Sequence, residues 1–297
     1  MTTDTGAVYD LGYKPFDGER RGRKGAWLTV WADGIRRSLG LRRKPRRKVM
    51  PWILVAFALI PPIVAVGFAF LFPAAAASEI SLISDNSAFF ALGGTITLLF
   101  TALAAPELLI PDRRDGVLSM LSSRPLTSTD YLSARFASLL TIVAVFLLIP
   151  QFVLFIGQVG THPDGLLSGF ADAASTLPRI LAVAAIYAIA FVPLGFVIAS
   201  VSNRKAIAAS IYLATAIALT MVADAIVRNA TFTGSRWAAL ISPINTADAA
   251  NSWIFNATDS GSLLSVAGIE PVWGIVALVV GGVALTGFSV ERYRRIM

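Results

Sequence analysis

Six stretches of this chain, at 52–72, 89–110, 136–159, 180–200, 206–227 and 272–290, run almost without charge and without the two-residue alternation of a half-buried strand. At 1.5 Å per helical residue, each is long enough to cross roughly 30 Å of hydrocarbon. Lipid offers the backbone no hydrogen-bond partner, so such runs close their bonds internally as helices, and a barrel would need short alternating strands instead. The pattern predicts an all-α fold: a polytopic membrane helix bundle of six transmembrane helices. Pro61, Pro62, Pro150 and Pro193 fall inside these runs, and a kink is expected where each removes a backbone bond.

A different period precedes the first run. Over 26–41, Trp27, Trp31, Ile35 and Leu39 recur every fourth position, with Leu28 beside them and Asp33, Arg36 and Arg37 on other faces. This predicts an interfacial amphipathic helix whose tryptophan face lies in the headgroup layer of membrane lipids. The basic run Arg42-Arg43-Lys44-Pro45-Arg46-Arg47-Lys48 follows, suited to anionic lipid heads at on the order of 1 kcal/mol per cation or to fixing topology alone. Tethering directly to a span speaks against a nucleic-acid partner. The chain thus divides into a basic segment, 1–50, and a membrane domain, 51–297.

Composition agrees: 56% of the 297 residues are hydrophobic and 14% charged, where a soluble domain carries about a quarter charged. All but Arg179, Arg228 and Arg236 of the 25 lysines and arginines fall on one side of the predicted bilayer. Positive loops stay inside, which places both termini in the cytoplasm. The first fifty residues hold no short apolar core before a small-residue cleavage site, so insertion is expected to start from the internal spans. No cysteine is present and His162 is the lone histidine, which excludes disulfides, thiolate metal sites and His-rich metal sites.

The chain has no Gly-x-x-x-x-Gly-Lys-Ser/Thr loop to cradle ATP phosphates. Glu107, Asp224 and Arg179 sit near span ends and none at a span centre, so a proton relay is hard to build. Mild polarity within the spans comes from Thr95, Thr97 and Thr101 on the second and Ser210, Thr215 and Thr220 on the fifth. These would line a solute path, or act as helix–helix glue. A path so free of charge suits a hydrophobic or amphipathic cargo such as a drug, lipid or peptide. In the loop 111–135, a short helix would set Leu118 and Leu121 on one face, Pro125 would stop it, and Thr127, Ser128 or Thr129 would cap the next helix. Asp112 and Asp115, three apart, could instead meet as a metal-like pair of a membrane enzyme acting on lipids.

Arg114-Asp115-Gly116-Val117-Leu118-Ser119-Met120-Leu121, with Pro125 and Arg135 beyond it, resembles the loop between spans two and three in permease subunits of ABC exporters of the second exporter type. There the loop often runs Arg-Glu-x-Gly-Thr-Leu-Glu-x-Leu-Leu, then Pro, then a basic residue. Here Asp115 takes the place of the glutamate with one residue of spacing lost, and Ser119 stands where a second acid is common. Tyr9-Asp10-Leu11-Gly12-Tyr13, Gly22-Arg23 and Ser242-Pro243-Ile244-Asn245 look like actinobacterial permeases of this kind.

The resemblance implies a bacterial plasma-membrane permease that pairs with a second permease, identical or homologous, each docking an ATP-binding-cassette ATPase. ATP and Mg would bind on that partner, with no cofactor on this chain and no catalysis by it alone. Leu118 and Leu121 would enter a groove on the ATPase, with Arg113, Arg114 and Asp115 at its rim beside Gly116, and the interfacial helix would be the second docking element. The segment 228–270 would dip back toward the membrane as short helices, its apolar surface supplied by Trp237, Ile241, Ile244, Trp253, Ile254 and Phe255. Two other classes stay open: an integral membrane enzyme, and an accessory or signalling subunit that moves no solute.

Overall fold

Six helices of the computed structural model are long and apolar enough to cross a membrane: α2 Val49–Leu71, α3 Asn86–Arg114, α4 Ser128–Gly160, α5 Leu166–Val201, α6 Lys205–Asn229 and α9 Pro271–Arg294. Among the described residues, a helix ahead of them, α1 Gly22–Ser38, and three short elements between α6 and α9 are the other helical elements. These are a 3-10 turn Ser235–Ile241, α7 Pro243–Phe255 and α8 Leu263–Val266. The structure describes residues 22–41, 49–72, 85–117, 126–230, 232, 234–257 and 262–295. Among them the fold is an all-α, multi-pass bundle.

Two of the long helices start earlier than their apolar runs. Helix α4 begins at Ser128 rather than at 136. Thr127 caps it by accepting from the Asp130 N–H, and Asp130 answers by accepting from the Thr127 N–H. That reciprocal pair satisfies two otherwise orphaned donors, so the helix starts at its cap although its first turns are polar. Helix α5 begins at Leu166 rather than at 180, because Ser168, Asp172 and Ser175 lower hydropathy without breaking a helix. At 33 and 36 residues, these two helices measure roughly 50 Å or more, well beyond a 30 Å hydrocarbon slab.

Helix α5 is the hub. Two thirds of its apolar window is buried, against less than a third for α2, α6 and α9. Tyr187, Phe191 and Phe196 of α5 are almost wholly enclosed, together with Phe90 and Phe100 of α3 and Leu139 of α4. Tyr187 stacks on Phe90 at 6.1 Å between ring centres. The helices approach closely there because Gly94 has no side chain: a Cβ would stand 2.4 Å from the Tyr187 ring. Small residues at membrane helix crossings let backbones approach in this way.

The segment between α6 and α9 packs against α3, α5, α6 and α9, but small residues carry that packing. Thr246, Ala247, Ala249, Ala250 and Asn251 of α7 are buried, whereas Trp237, Ile241 and Trp253 stay about half exposed. Ile244, Ile254 and Phe255 contribute partly buried contacts. Alanines thus seat α7 against the long helices, while Trp237, Ile241 and Trp253 leave apolar surface exposed. Ser242 caps α7 through the Asn245 N–H at 3.1 Å and shares a hydrogen bond with Thr220 of α6 at 2.9 Å. Thr220 lies nine residues, about 14 Å, from the end of α6, so α7 starts well inside the bundle.

Candidate functional site

One end of the bundle gathers a cluster of interior charges. The termini of α3, α5 and α9 and the starts of α4 and α6 meet there, with α1 laid along the first third of α4. Asp112, in the last turn of α3, is fully buried. Arg135 of α4 donates to its Oδ2 at 2.6 Å, and the Tyr131 hydroxyl, one turn earlier on α4, donates to the same oxygen at 2.7 Å. Arg37 of α1 holds Oδ1. Arg37 also pairs with Asp33 at 2.7 Å, and Asp33 pairs back to Arg135 at 3.0 Å. Two carboxylates and two guanidiniums therefore form a closed, neutral ring joining α1, α3 and α4. Neutrality limits the cost of burying the ring, while deleting a member would strand a charge at about 3–5 kcal/mol.

The remaining contacts explain why α1 lies where it does. Val30, Gly34 and Ser38 form its buried stripe. A Cβ at Gly34 would stand 2.3 Å from the Ser138 hydroxyl oxygen, so glycine is what lets α1 rest on α4. Ser138 donates to the Trp31 carbonyl at 2.8 Å. The indoles of Trp27 and Trp31 donate to Ser133 at 2.9 Å and Thr141 at 3.3 Å, and Arg23 grips Asp130 with two bonds of 2.7 and 2.8 Å. The lipid-facing role expected for Trp27, Trp31, Ile35 and Leu39 is corrected: this face is half-buried against the bundle, and Leu28 is the exposed large residue. The period was right, but the partners of the stripe lie about a hundred residues away in sequence.

Just past Asp112 the chain turns outward. Arg113 is not at a rim: it donates to the carbonyls of Ala199 at 3.2 Å, Ser200 and Ser202. It thereby satisfies the orphaned carbonyls that end α5, and Arg292 of α9 adds a bond to Ser200 at 3.2 Å. Arg114, Asp115 and Gly116 are exposed. Gly116 takes φ +66°, a turn conformation that other residues rarely adopt. Leu118, Leu121 and Pro125 lie outside the described residues, as does the basic run at 42–48. The metal-like pairing of Asp112 with Asp115 does not form, since a cation would not enter between two guanidiniums.

A cleft of about 410 Å³ opens beside the ring, with Arg37, Pro51, Phe100, Leu103, Glu107 and Lys205 among its walls. Glu107 and Lys205 pair across it, tying α3 to α6.

The six hydroxyl residues expected along a solute path do not converge. Thr97 and Thr101 are fully buried and donate back to the carbonyls of Gly93 at 2.6 Å and Thr97 at 2.8 Å. Thr101 packs on Gly195 of α5. These two are helix–helix packing residues, in line with the usual role of small polar groups in spans. Thr220 bonds to the Ala216 carbonyl and Ser242, Thr215 is half-buried, and Thr95 and Ser210 are exposed.

At the far end the structure shows an ionisable group that counting charges within spans passes over. Asp248 lies on α7, between spans in sequence but against the bundle in space, where the Tyr187 hydroxyl of α5 donates to its carboxylate. Burial pushes the Asp248 carboxyl above the usual carboxylate range, against the opposing pull of the Tyr187 hydrogen bond. One turn on, Asn251 donates to the Ser87 carbonyl of α3 at 2.9 Å. The only sequence signal was the alternation of Asn, Asp and Ala in the short segment from Pro243.

Comparison with known proteins adds no identification: no family model matches the chain, and no curated protein is significantly similar to it. The fold and the charge ring define a multi-pass membrane helix bundle with α1, α3 and α4 joined at one end by buried ion pairs.

Proposed function

We propose that this chain is the permease subunit of an ATP-driven ABC exporter, seated in a bacterial plasma membrane with both termini cytoplasmic. A separate ATP-binding-cassette ATPase would dock on the α1 end, and a second permease, identical or homologous, would complete the transporter. The observation that carries the reading is the position of the Arg114-Asp115-Gly116 turn. It projects into solvent directly beyond Asp112, whose carboxylate binds α1, α3 and α4 into one unit. A force applied to that turn by a moving partner reaches three helices at once, which is what an external motor requires.

Three further points support it. The excess of lysine and arginine at the α1 end suits a cytoplasmic face. The chain carries no phosphate-binding loop of its own. An exposed apolar stripe on α3, formed by Leu92, Thr95, Leu99 and Leu103, is suited to wall a path shared with the second permease and to pass a hydrophobic or amphipathic solute.

The test is co-purification. Leu118→Asp with Leu121→Asp leaves insertion and abundance normal and releases a co-expressed ATP-binding-cassette ATPase, if the reading holds. Retention of the ATPase by the double variant removes the loop from the interface.

A further inference from the structure

The far end of the bundle contains a polar track that the ATPase reading does not use. It begins in an open cleft of about 250 Å³ lined by Asp224, Arg228, Asn245, Asp248, Ser262 and Leu263. Arg228 pairs with Asp224 at 2.7 Å, so that pair is neutral. Among the described residues Asp248 has no cationic partner. From the cleft the track passes inward through Asp248 to Tyr187 and to Asn251, which lies beside the Tyr187 hydroxyl. It ends at the first turn of α3, where Asn251 donates to the Ser87 carbonyl and Gln151 of α4 to the Asn86 carbonyl at 3.4 Å.

The amide oxygens are the telling feature. Asn86, Gln151 and Asn251 are 4%, 2% and 1% exposed, and each uses its donor side or its backbone while its side-chain oxygen meets no donor. The Gln151 and Asn251 amides flank two consecutive residues of α3, Asn86 and Ser87, and three unpartnered acceptors there are costly in an apolar interior. Native interiors resolve such groups with a bound water or ion. The three amide oxygens are acceptors without a donor, and Asp248 is the acid of the track that has no ionic partner among the described residues.

We propose that this track is a binding site for a monovalent alkali cation, reached through the cleft and held between Asp248 and the Asn251 oxygen, with the Asn86 and Gln151 oxygens deeper in. Amide, carboxylate and hydroxyl oxygens are hard ligands suited to such ions. A single carboxylate neutralises one positive charge, whereas a divalent ion would leave a net charge buried in low dielectric. The cation would pin α7 to α3, α4 and α5, and so set how firmly the segment between α6 and α9 closes the far end. The inference stands apart from the ATPase reading, because its readout is binding to this chain alone.

The experiment uses the purified full-length chain in detergent, with its thermal midpoint measured in sodium chloride, potassium chloride and choline chloride at equal ionic strength. Sodium or potassium raises the midpoint along a saturable curve and choline does not. In Asp248→Asn the half-saturating concentration rises about tenfold or more, from loss of one charge-assisted contact, and in Asp172→Asn, an exposed acid at the same end, it is unchanged. Equal midpoints in all three salts overturn the proposal and leave the amide oxygens to water, as does a salt response that persists unaltered in Asp248→Asn. Should Asp248→Asn fail to fold, calorimetric titration of the wild-type chain with sodium and potassium chloride in a choline background decides the matter, absence of saturable heat for both ions overturning the site.

Discussion

Arg135 and Asp112 meet at 2.6 Å with side chains only 3% and 1% exposed. A buried ion pair of this kind contributes little net stability when complete, because desolvation offsets attraction. Breaking it is another matter, since the partner left behind is a charge sealed in the protein. With Arg37 and Asp33 closing the ring, the pair fixes the register of α1 against α3 and α4.

The first prediction follows from that asymmetry. Asp112→Ala costs about 3–5 kcal/mol and lowers the thermal midpoint in detergent by on the order of ten degrees. Replacing both members, Asp112→Leu with Arg135→Met, recovers much of the loss. A single variant within one degree of wild type would mean that water reaches the ring.

Packing of α1 gives the second. Gly34→Ala places a methyl group against Ser138 and destabilises by about 1–3 kcal/mol through overpacking. Protease cleavage within α1 accelerates, and the fluorescence of Trp27 and Trp31 shifts to longer wavelength as their indoles leave Ser133 and Thr141. Adding Ser138→Gly to Gly34→Ala, which also removes the Cβ 2.6 Å away, restores part of the protection. Equal cleavage rates for Gly34→Ala and wild type would separate α1 from α4.

How much of this could be read from the sequence depends on distance along the chain. The six spans were legible because a continuous apolar run is a local property, and the start of α4 was legible to within the three candidate caps Thr127, Ser128 and Thr129, of which the structure uses Thr127. The start of α5 was missed since hydropathy marks what lipid accepts, while helix formation tolerates the polar turns around Ser168. The α1 stripe was seen and its partner was not. Gly34 meets Ser138, and Arg37 meets Asp112, through contacts that no window spans. Arg113 was misplaced for the same reason, as its carbonyl partners end a helix that starts fifty residues later. Asp248 escaped notice because it belongs to no span, and only the return of α7 into the bundle buries it.

A third prediction concerns pH. The folded-state value of Asp248 lies above its ordinary one, near 3.9 in an unfolded chain. The folded protein therefore binds the extra proton more tightly, and the stability this contributes is full below about pH 4 and is lost as pH rises through the folded value. The groups facing Asp248 are Tyr187 on α5 and the Asp224–Arg228 pair on α6. Midpoints of wild type and Asp248→Asn, measured in choline buffers across this range, converge at the acid end and separate above it with the variant more stable. A constant difference would show that Asp248 titrates as an ordinary surface carboxylate.

The capping role of Arg113 supplies a fourth. Arg113→Gln leaves the last carbonyls of α5 without a guanidinium and loosens the junction of α3, α5 and α9. Amide exchange at residues 203 to 207 quickens several-fold while exchange at 215 to 223 stays as in wild type. Uniform exchange across both stretches would mean that Arg292 alone suffices to hold the end of α5.

The central claim is that motion of this bundle is driven from outside, through contacts at the α1 end. Its most direct test is reconstitution of the chain in liposomes with and without a co-expressed ATP-binding-cassette ATPase, following ATP turnover and the flux of a lipophilic solute. The account predicts uphill flux only with the ATPase and ATP present, and none from a sodium, potassium or proton gradient applied to the chain alone. Uphill flux driven by any such gradient in the absence of the ATPase would contradict it.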